Sequence, residues 1–476
     1  MGFQRAIEDY NLIDLGVEGY QYTWERARGT DRWVEERLDR AFASEAWLQR
    51  FTRAKVYSLE SSCSDHLPIF LDPRPAQYVT RNRRFRFENI WMREADCSEV
   101  IRESWHSHPR NSIQSKILAC GSALTEWGGH LGRNFRKRIM DCKNRMTSLR
   151  GRRDRKGVAE FTEARNRYNE LLHSHEVFWK QRAKSLWLKE GDKNTRYFHA
   201  SASARKRQNS LGNLRNDQGE WCANSVEVDA LIVDYFTSLF TAGGVQTAEV
   251  IQCVDTKVTS EHNSMLLAPF SAIKVKEVVF GMHPDKSPGP YGMNPAFYQK
   301  FWHIVGEDVV MACLNFLQDA SFSVGLNDTS IVLIPKKQMP KFLSDMRPIE
   351  LCNVLYKIIS KMLANRMKLV LDLVISDSQS AFVPGRAITD NIIISAQIMH
   401  FLKRKSQGKQ GVAALKIDMS KAYDKVEWGF LQAMMLKLGF DPKWVELVML
   451  CVSTVRYSVL REGKEVGPII PCRGLR

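Results

Sequence analysis

Residues 413–428 read AALKIDMSKAYDKVEW, and no other stretch constrains the chain as much. A short apolar run, Ala414, Leu415 and Ile417, leads into one carboxylate, Asp418. A lysine-bearing turn and an aromatic residue, Tyr423, follow at once. The pattern predicts a short strand that delivers Asp418 to its end. A carboxylate held on a rigid element is what a divalent-metal site requires. Asp at a strand end is also an ordinary turn residue or helix cap, so this motif alone leaves both readings open.

The chain has 476 residues, room for two or three domains with cores of their own. A hydrophobic fraction of 44% excludes wholesale disorder. The net charge of +16 points to a polyanionic partner, with nucleic acid first and an acidic membrane surface second. A basic surface that serves only solubility is the plain alternative. The charge is localised, however: residues 133–207 hold 22 Lys/Arg against 8 Asp/Glu, a surplus of 14 out of 16. Such clustering favours a binding surface. The ten cysteines form no C-x-x-C pair and no zinc-like cluster, which fits reduced thiols in nucleus or cytoplasm. No stretch approaches the roughly 20 apolar residues of a membrane span, and the start lacks an apolar signal core.

Three segments follow from the pattern. Residues 1–75 alternate strand-like runs with turns, and a Pro-bearing stretch at 71–78 marks a boundary. Residues 76–265 read as mainly helical. Ile139, Cys142, Met146 and Leu149 recur at helical spacing, as do Phe161, Ala164, Tyr168, Leu171, His175 and Phe178. The basic run RGRRDRKG (150–157) between them predicts two antiparallel helices joined by a turn. From 266 onward, KSPGP (286–290) is a rigid turn and SIVLIPKK (330–337) a buried strand with a basic end. Leu355, Ile358, Ile359, Met362 and Leu363 mark one face of an amphipathic helix carrying Lys357, Lys361 and Arg366.

The last segment thus offers a carboxylate, an aromatic five residues on, and basic groups at Lys336, Arg347 and Arg386. Polymerases need all three, to hold metal ions, to check the sugar and to cradle the triphosphate. The ordered strings LIPKK (333–337), MRPIELCNVLYKIISKMLANRMK (346–368), SQSAFVPGRAITDNI (378–392) and ALKIDMSKAYDKVEWGFL (414–431) resemble the reverse transcriptase of LINE-type, non-LTR retrotransposons, the plant lineage above all. The tail at 449–476 resembles that family's strand-and-hairpin region. The resemblance implies an RNA-directed DNA polymerase acting on an RNA template, a DNA target and primer, and dNTP with Mg²⁺. It makes Asp418 the first metal-binding aspartate, with the Met419 carbonyl as a second ligand, and Tyr423 the steric gate. It places Arg347 and Lys357 near the incoming nucleotide or template, and Gln379, Gly385 and Arg386 in a template-gripping loop. Two positions depart from the family pattern. Tyr291 stands where Pro-Asp-Gly has its acid, and Glu350 stands where Arg-Pro-Ile-Ser has its serine. The aromatic-x-Asp-Asp turn of the family would fall beyond residue 476, so the expectation is a polypeptide that does not extend a primer by itself.

At the other end, YTW (22–24), ERLDRAF (36–42) and SSCSDHLPI (61–69) come in an order that resembles the end of the apurinic-endonuclease-like domain of the same retrotransposons. The resemblance implies an Asp39–His66 dyad acting on DNA strand nicking, with Asp65 in the same site and the family's metal-binding Glu upstream of residue 1. Between the two lies the basic segment 189–207, which looks like the family's linker. Its cations read as RNA or DNA contacts, and the aromatics Trp179, Trp187, Tyr197 and Phe198 read as core. The expected fold class is α+β. It combines the C-terminal part of an endonuclease-like α/β sandwich (1–75), a basic helical linker (76–265), and the fingers and partial palm of a right-hand polymerase (266–476). A non-catalytic nucleic-acid-binding protein and a pseudogene product are the alternatives.

Overall fold

Local pairing rather than one large sheet shapes the N-terminal segment. Its strands Leu12–Asp14 (β1), Trp24–Arg26 (β2), Val34–Glu36 (β3), Phe42–Ser44 (β4), Lys55–Ser58 (β5) and Ile69–Asp72 (β6) are short. They pair antiparallel as β1 with β4, β2 with β3 and β5 with β6. Isolated bridges join Glu18 to Tyr57 and Trp24 to His66, with backbone hydrogen bonds of Glu18 to Val56 and Ser58, of Glu25 to Asp65 and of Leu67 to Thr23 around them. The structure, a computed structural model, describes residues 2–27, 31–51, 54–59, 64–73, 84–107, 111–129, 135–152, 154–183, 195–209, 214–222, 224–244, 246–337, 340–405 and 411–475. Residues 74–78 of the expected boundary run, residues 189–194 with the neighbouring Trp187, and part of SSCSD lie outside the described residues.

The two helical stripes form helices Phe135–Leu149 and Arg155–Ala183, packed on each other along their length. Asp154 starts the second one: its carboxylate accepts the Gly157 N–H (3.0 Å), filling one of the orphan donors of a first turn. Leu149, Ala164 and Leu171 are buried, as their spacing predicts. Trp179 donates its indole N–H to His175 Nε2 (2.9 Å), and Arg182 stacks on Phe178 at 3.4 Å. These aromatics are engaged within the protein.

The larger sheet has the order β10-β9-β7-β8, from Thr329–Pro335 (β7), Met346–Cys352 (β8), Tyr457–Arg461 (β9) and Lys464–Ile469 (β10). β7 pairs antiparallel with β8 and parallel with β9. Helix Ser225–Phe240 covers this sheet, with Ile232, Phe236 and Phe240 packed among Ile331, Tyr457, Val459 and Val466. A second, larger core gathers Phe87, Trp91 and Trp105 with Phe297, Phe301, Ile358 and Trp444. Residues on both sides of 265 therefore share cores, and the helices Cys97–His106 and Ile113–Gly128 pack on Trp302–Asp319.

The strand expected before Asp418 is not formed. Residues 411–419 carry no strand and are exposed throughout, with Leu415 84% and Ile417 78% accessible. A strand takes its ladder from neighbours, and β7, β8, β9 and β10 pair among themselves without reaching this run. Local apolar character did not suffice. The helix Ile388–Arg404 just before it is likewise exposed on every face, including Ile392, Ile394 and Phe401. No helix among the described residues is long and apolar enough to cross a membrane.

Candidate functional sites

The three N-terminal motifs meet in space. His66 Nδ1 donates to Asp39 Oδ2 at 2.8 Å. Thr23, fully buried, accepts the Asp39 backbone N–H through its hydroxyl (2.8 Å). Trp24 donates its indole N–H to Asp65 Oδ2 (3.0 Å), and Ser64 accepts the His66 N–H (3.0 Å). YTW is thus the frame that holds both carboxylates, while His66 and Asp39 stay open to solvent on one side. The hydrogen bond from His66 holds the Asp39 carboxyl below its usual range, and the same bond raises the His66 imidazole above its usual value.

The sign of the pH dependence follows. The charged pair is fully formed between roughly pH 4 and 6.5, the ordinary carboxylate and imidazole values. It is lost as pH rises through the raised His66 value, and as pH falls through the lowered Asp39 value. In an NMR titration, His66 is expected to titrate above the ordinary imidazole range, and Asp39→Asn to bring it back. An unchanged titration in the variant would refute the coupling.

The C-terminal candidates are less uniformly assembled. Asp418 and Met419 lie in the exposed run 411–419. Tyr423 begins the 3-10 turn Tyr423–Lys425, and its ring meets Phe382 of the SQSAFVPGR loop edge to face, with centroids 6.5 Å apart. Two motifs far apart in sequence are brought together there. The turn is anchored from behind. Tyr423 and Val426 carbonyls accept the Leu475 and Gly474 N–H groups (2.8 Å each), and Arg473 pairs with Glu427 (3.2 Å). Lys421, in the left-handed region at φ +55°, reaches Tyr235 of the covering helix, donating to its hydroxyl and lying over its ring. Asp424 is half-buried, and burial pushes its carboxyl up, with Lys421 and Lys336 opposing.

The expected cations divide. Arg347 on β8 is exposed, with no ion-pair or hydrogen-bond partner for its side chain among the described residues. Lys357 instead donates to the Ser287 carbonyl (2.8 Å), and burial lowers its ammonium pKa. Its neighbours do likewise: Lys361 reaches the Gly281 carbonyl (3.2 Å), and Arg366 reaches those of Leu266 and Pro269. These carbonyls close helices Ala272–Phe280 and Ser260–Leu267, where a cation is favoured. Arg386 staples its own loop, donating to the Ser376 and Gln379 carbonyls (2.5 and 2.7 Å) and to Asp372 (3.2 Å). Gln379 is exposed, and Gly385 takes φ +78° with open space around it. Sequence reasoning overlooked helix Ser225–Phe240 as the support of this region. Its start was legible: the Asn224 side chain accepts the Val226 and Glu227 N–H groups, an ordinary N-cap ahead of an apolar run.

Residues 334–475 match the family model described as reverse transcriptase (RNA-dependent DNA polymerase). The chain is also similar to the transposon TX1 uncharacterized 149 kDa protein of Xenopus laevis, 24% identical over 297 residues. That match covers 62% of this chain and 22% of the relative, so the chain spans about a fifth of the relative's length. The order of the motifs and the family match agree: residues 334–475 of this chain carry reverse transcriptase sequence, and the chain as a whole is similar to a transposon protein.

Proposed function

We infer that the chain binds nucleic acid as part of a non-LTR, LINE-type reverse transcriptase, with an endonuclease-like segment at 1–75 and the fingers and first part of the palm at 266–476. Retrotransposons of plants carry the likeness read from the motifs. RNA template and DNA primer are the partners, dNTP the substrate and Mg²⁺ the cofactor of the parent reaction.

The observation that carries the reading is the meeting of Phe382 and Tyr423, loop and gate, beside the run that bears Asp418. Tyr423 discriminates the sugar, Arg347 faces the nucleotide path, and Gln379 and Gly385 present the template loop. Lys357 and Arg386 act as positioning residues. The residues present do not make up a two-ion site. Asp418 stands in an exposed run, and no group of three His, Cys, Asp or Glu that could hold a metal occurs among the described residues. Two Mg²⁺ ions about 3.5–4 Å apart need more than one carboxylate against their repulsion.

The expected result is retention of primer–template RNA in a gel shift without primer extension in Mg²⁺ and dNTP. Incorporation by the purified chain, abolished by Asp418→Ala, would overturn the second half of this reading. Failure to retain RNA would overturn the first. In the N-terminal segment, Asp39 orients the His66 imidazole, which acts on the phosphodiester or its attacking water, with Asp65 alongside.

A further inference from the structure

A cavity of about 1010 Å³ borders the turn that follows Asp418 through Lys421 and Lys425, and neither Asp418, Tyr423 nor Arg347 lines it. It follows one face of helix Ser225–Phe240, from Glu227 past Leu231 and Tyr235 to Ser238. The eleven residue steps from Glu227 to Ser238 span about 16 Å of helix. The two ends differ in chemistry. At the start of the helix stand Trp221 and the carboxylates of Asp217, Glu220 and Glu227. At the other end stand Lys421, Lys425 and Arg473. Arg473 belongs there because its guanidinium reaches the Leu239 carbonyl (2.9 Å), and Lys421 because it holds Tyr235.

Trp221 is half exposed. Arg215 stacks on one of its faces at 4.5 Å. Asp217 at the acidic end and Lys425 at the basic end have no ion-pair or hydrogen-bond partner for their side chains among the described residues. A purely anionic ligand would be repelled at one end, and a purely cationic one at the other. A ligand with a flat, donor-bearing ring and an anionic tail satisfies both. We propose that this cavity binds a nucleotide, its base stacked on Trp221 and its phosphate on Lys425.

The orientation is fixed by charge. Carboxylates accept hydrogen bonds, so the acidic end selects bases with an exocyclic amino group, and the lysine end takes the phosphate. Adenine, guanine and cytosine carry that amino group; uracil does not. Because Lys421 and Lys425 belong to the turn that follows Asp418, occupancy bears directly on that turn. Asp234, midway along the face, places its charge between the two ends and disfavours a second phosphate there. The site is therefore suited to one terminal or flipped-out nucleotide rather than to a continuous strand.

The test is calorimetric titration of the full chain with AMP, UMP, the tetraribonucleotide rA4 and hexa-arginine peptide. AMP is expected to bind several-fold more tightly than UMP. Trp221→Ala is expected to weaken AMP about tenfold, the worth of one base stack, with Trp221→Phe restoring most of it. Lys425→Glu, an exposed position that leaves the fold intact, is expected to weaken AMP by a similar factor. The double variant Asp217→Asn, Glu227→Gln should level AMP and UMP. Binding of rA4 no tighter than AMP marks a single-nucleotide site; rA4 binding far tighter, through contacts insensitive to Trp221, would overturn it. So would AMP affinity unchanged by Trp221→Ala and Lys425→Glu, absence of AMP binding, or preference for hexa-arginine. Binding of long RNA by the basic helices Phe135–Leu149 and Arg155–Ala183 is a separate expectation that does not depend on this result.

Discussion

Gly292→Ala is expected to destabilise the chain by about 3 kcal/mol or more, the range of backbone clashes at strained positions. Gly292 takes φ +76°, a conformation that a side chain resists by about 1–2 kcal/mol. A Cβ there would also clash with the Phe85 carbonyl oxygen, a backbone atom that cannot step aside alone. That backbone is committed, because Phe87 donates its N–H to the Gly292 carbonyl (3.0 Å). Moving it would loosen Phe87 and Trp91 from Phe297 and the core that holds them. Gly385→Ala supplies the comparison. It has φ +78° but nothing within reach of an added Cβ, so only the strain, about 1 kcal/mol, is expected. Urea unfolding of the two variants separates clash from strain. Equal losses would show that the 84–87 segment does not seat on this turn.

The same turn shows what could and could not be read from the residues alone. KSPGP announced a rigid turn, but not its partner. Gly289 packs against the backbone of Cys352 and Asn353, and the Asn353 side chain accepts the Tyr291 N–H (3.1 Å). Such contacts join positions tens of residues apart and leave no local periodicity. Helical stripes were legible for the opposite reason, since a 3.6-residue repeat is written within one element. The contact of Asp39 with His66 was expected only through the resemblance that three motifs in order carry, since a known fold places them together. The position of Asp418 was not legible. Its apolar run predicts a strand, yet strands exist only as pairs, and the sequence of one member does not supply the other. Likewise the pattern of residues 225–240 announces a helix but not that it will seat on β9 and β10 and brace the turn at 421–428.

A fourfold rise in salt, from about 50 to 200 mM, is expected to weaken single-stranded RNA binding about a hundredfold, if some five phosphates are neutralised at a slope near −0.7 each. Five cations supply that number. Lys143, Arg145, Arg150, Arg155 and Lys156 surround the tip where helices Phe135–Leu149 and Arg155–Ala183 meet, all exposed. None of them has a side-chain ion pair among the described residues, whereas Arg152 is held by Asp154 and Arg167 by Glu170. Charges already paired within the protein release fewer counterions, so the paired arginines contribute little to the slope. Phe135 and Phe178 of this hairpin pack against the core, and Arg182 is engaged by Phe178 and Glu88. Binding here is therefore expected to show strong salt dependence and little sequence preference. The triple variant Arg150→Ala, Arg155→Ala, Lys156→Ala should lower the salt slope by about 2, three contacts at 0.7 each, with helix content unchanged. A slope identical to that of the parent chain would mean that the tip is only a solvated face. A reduced slope would place the phosphate track on the side of the molecule that carries the charge surplus, and would make the basic segment a binding element rather than a spacer.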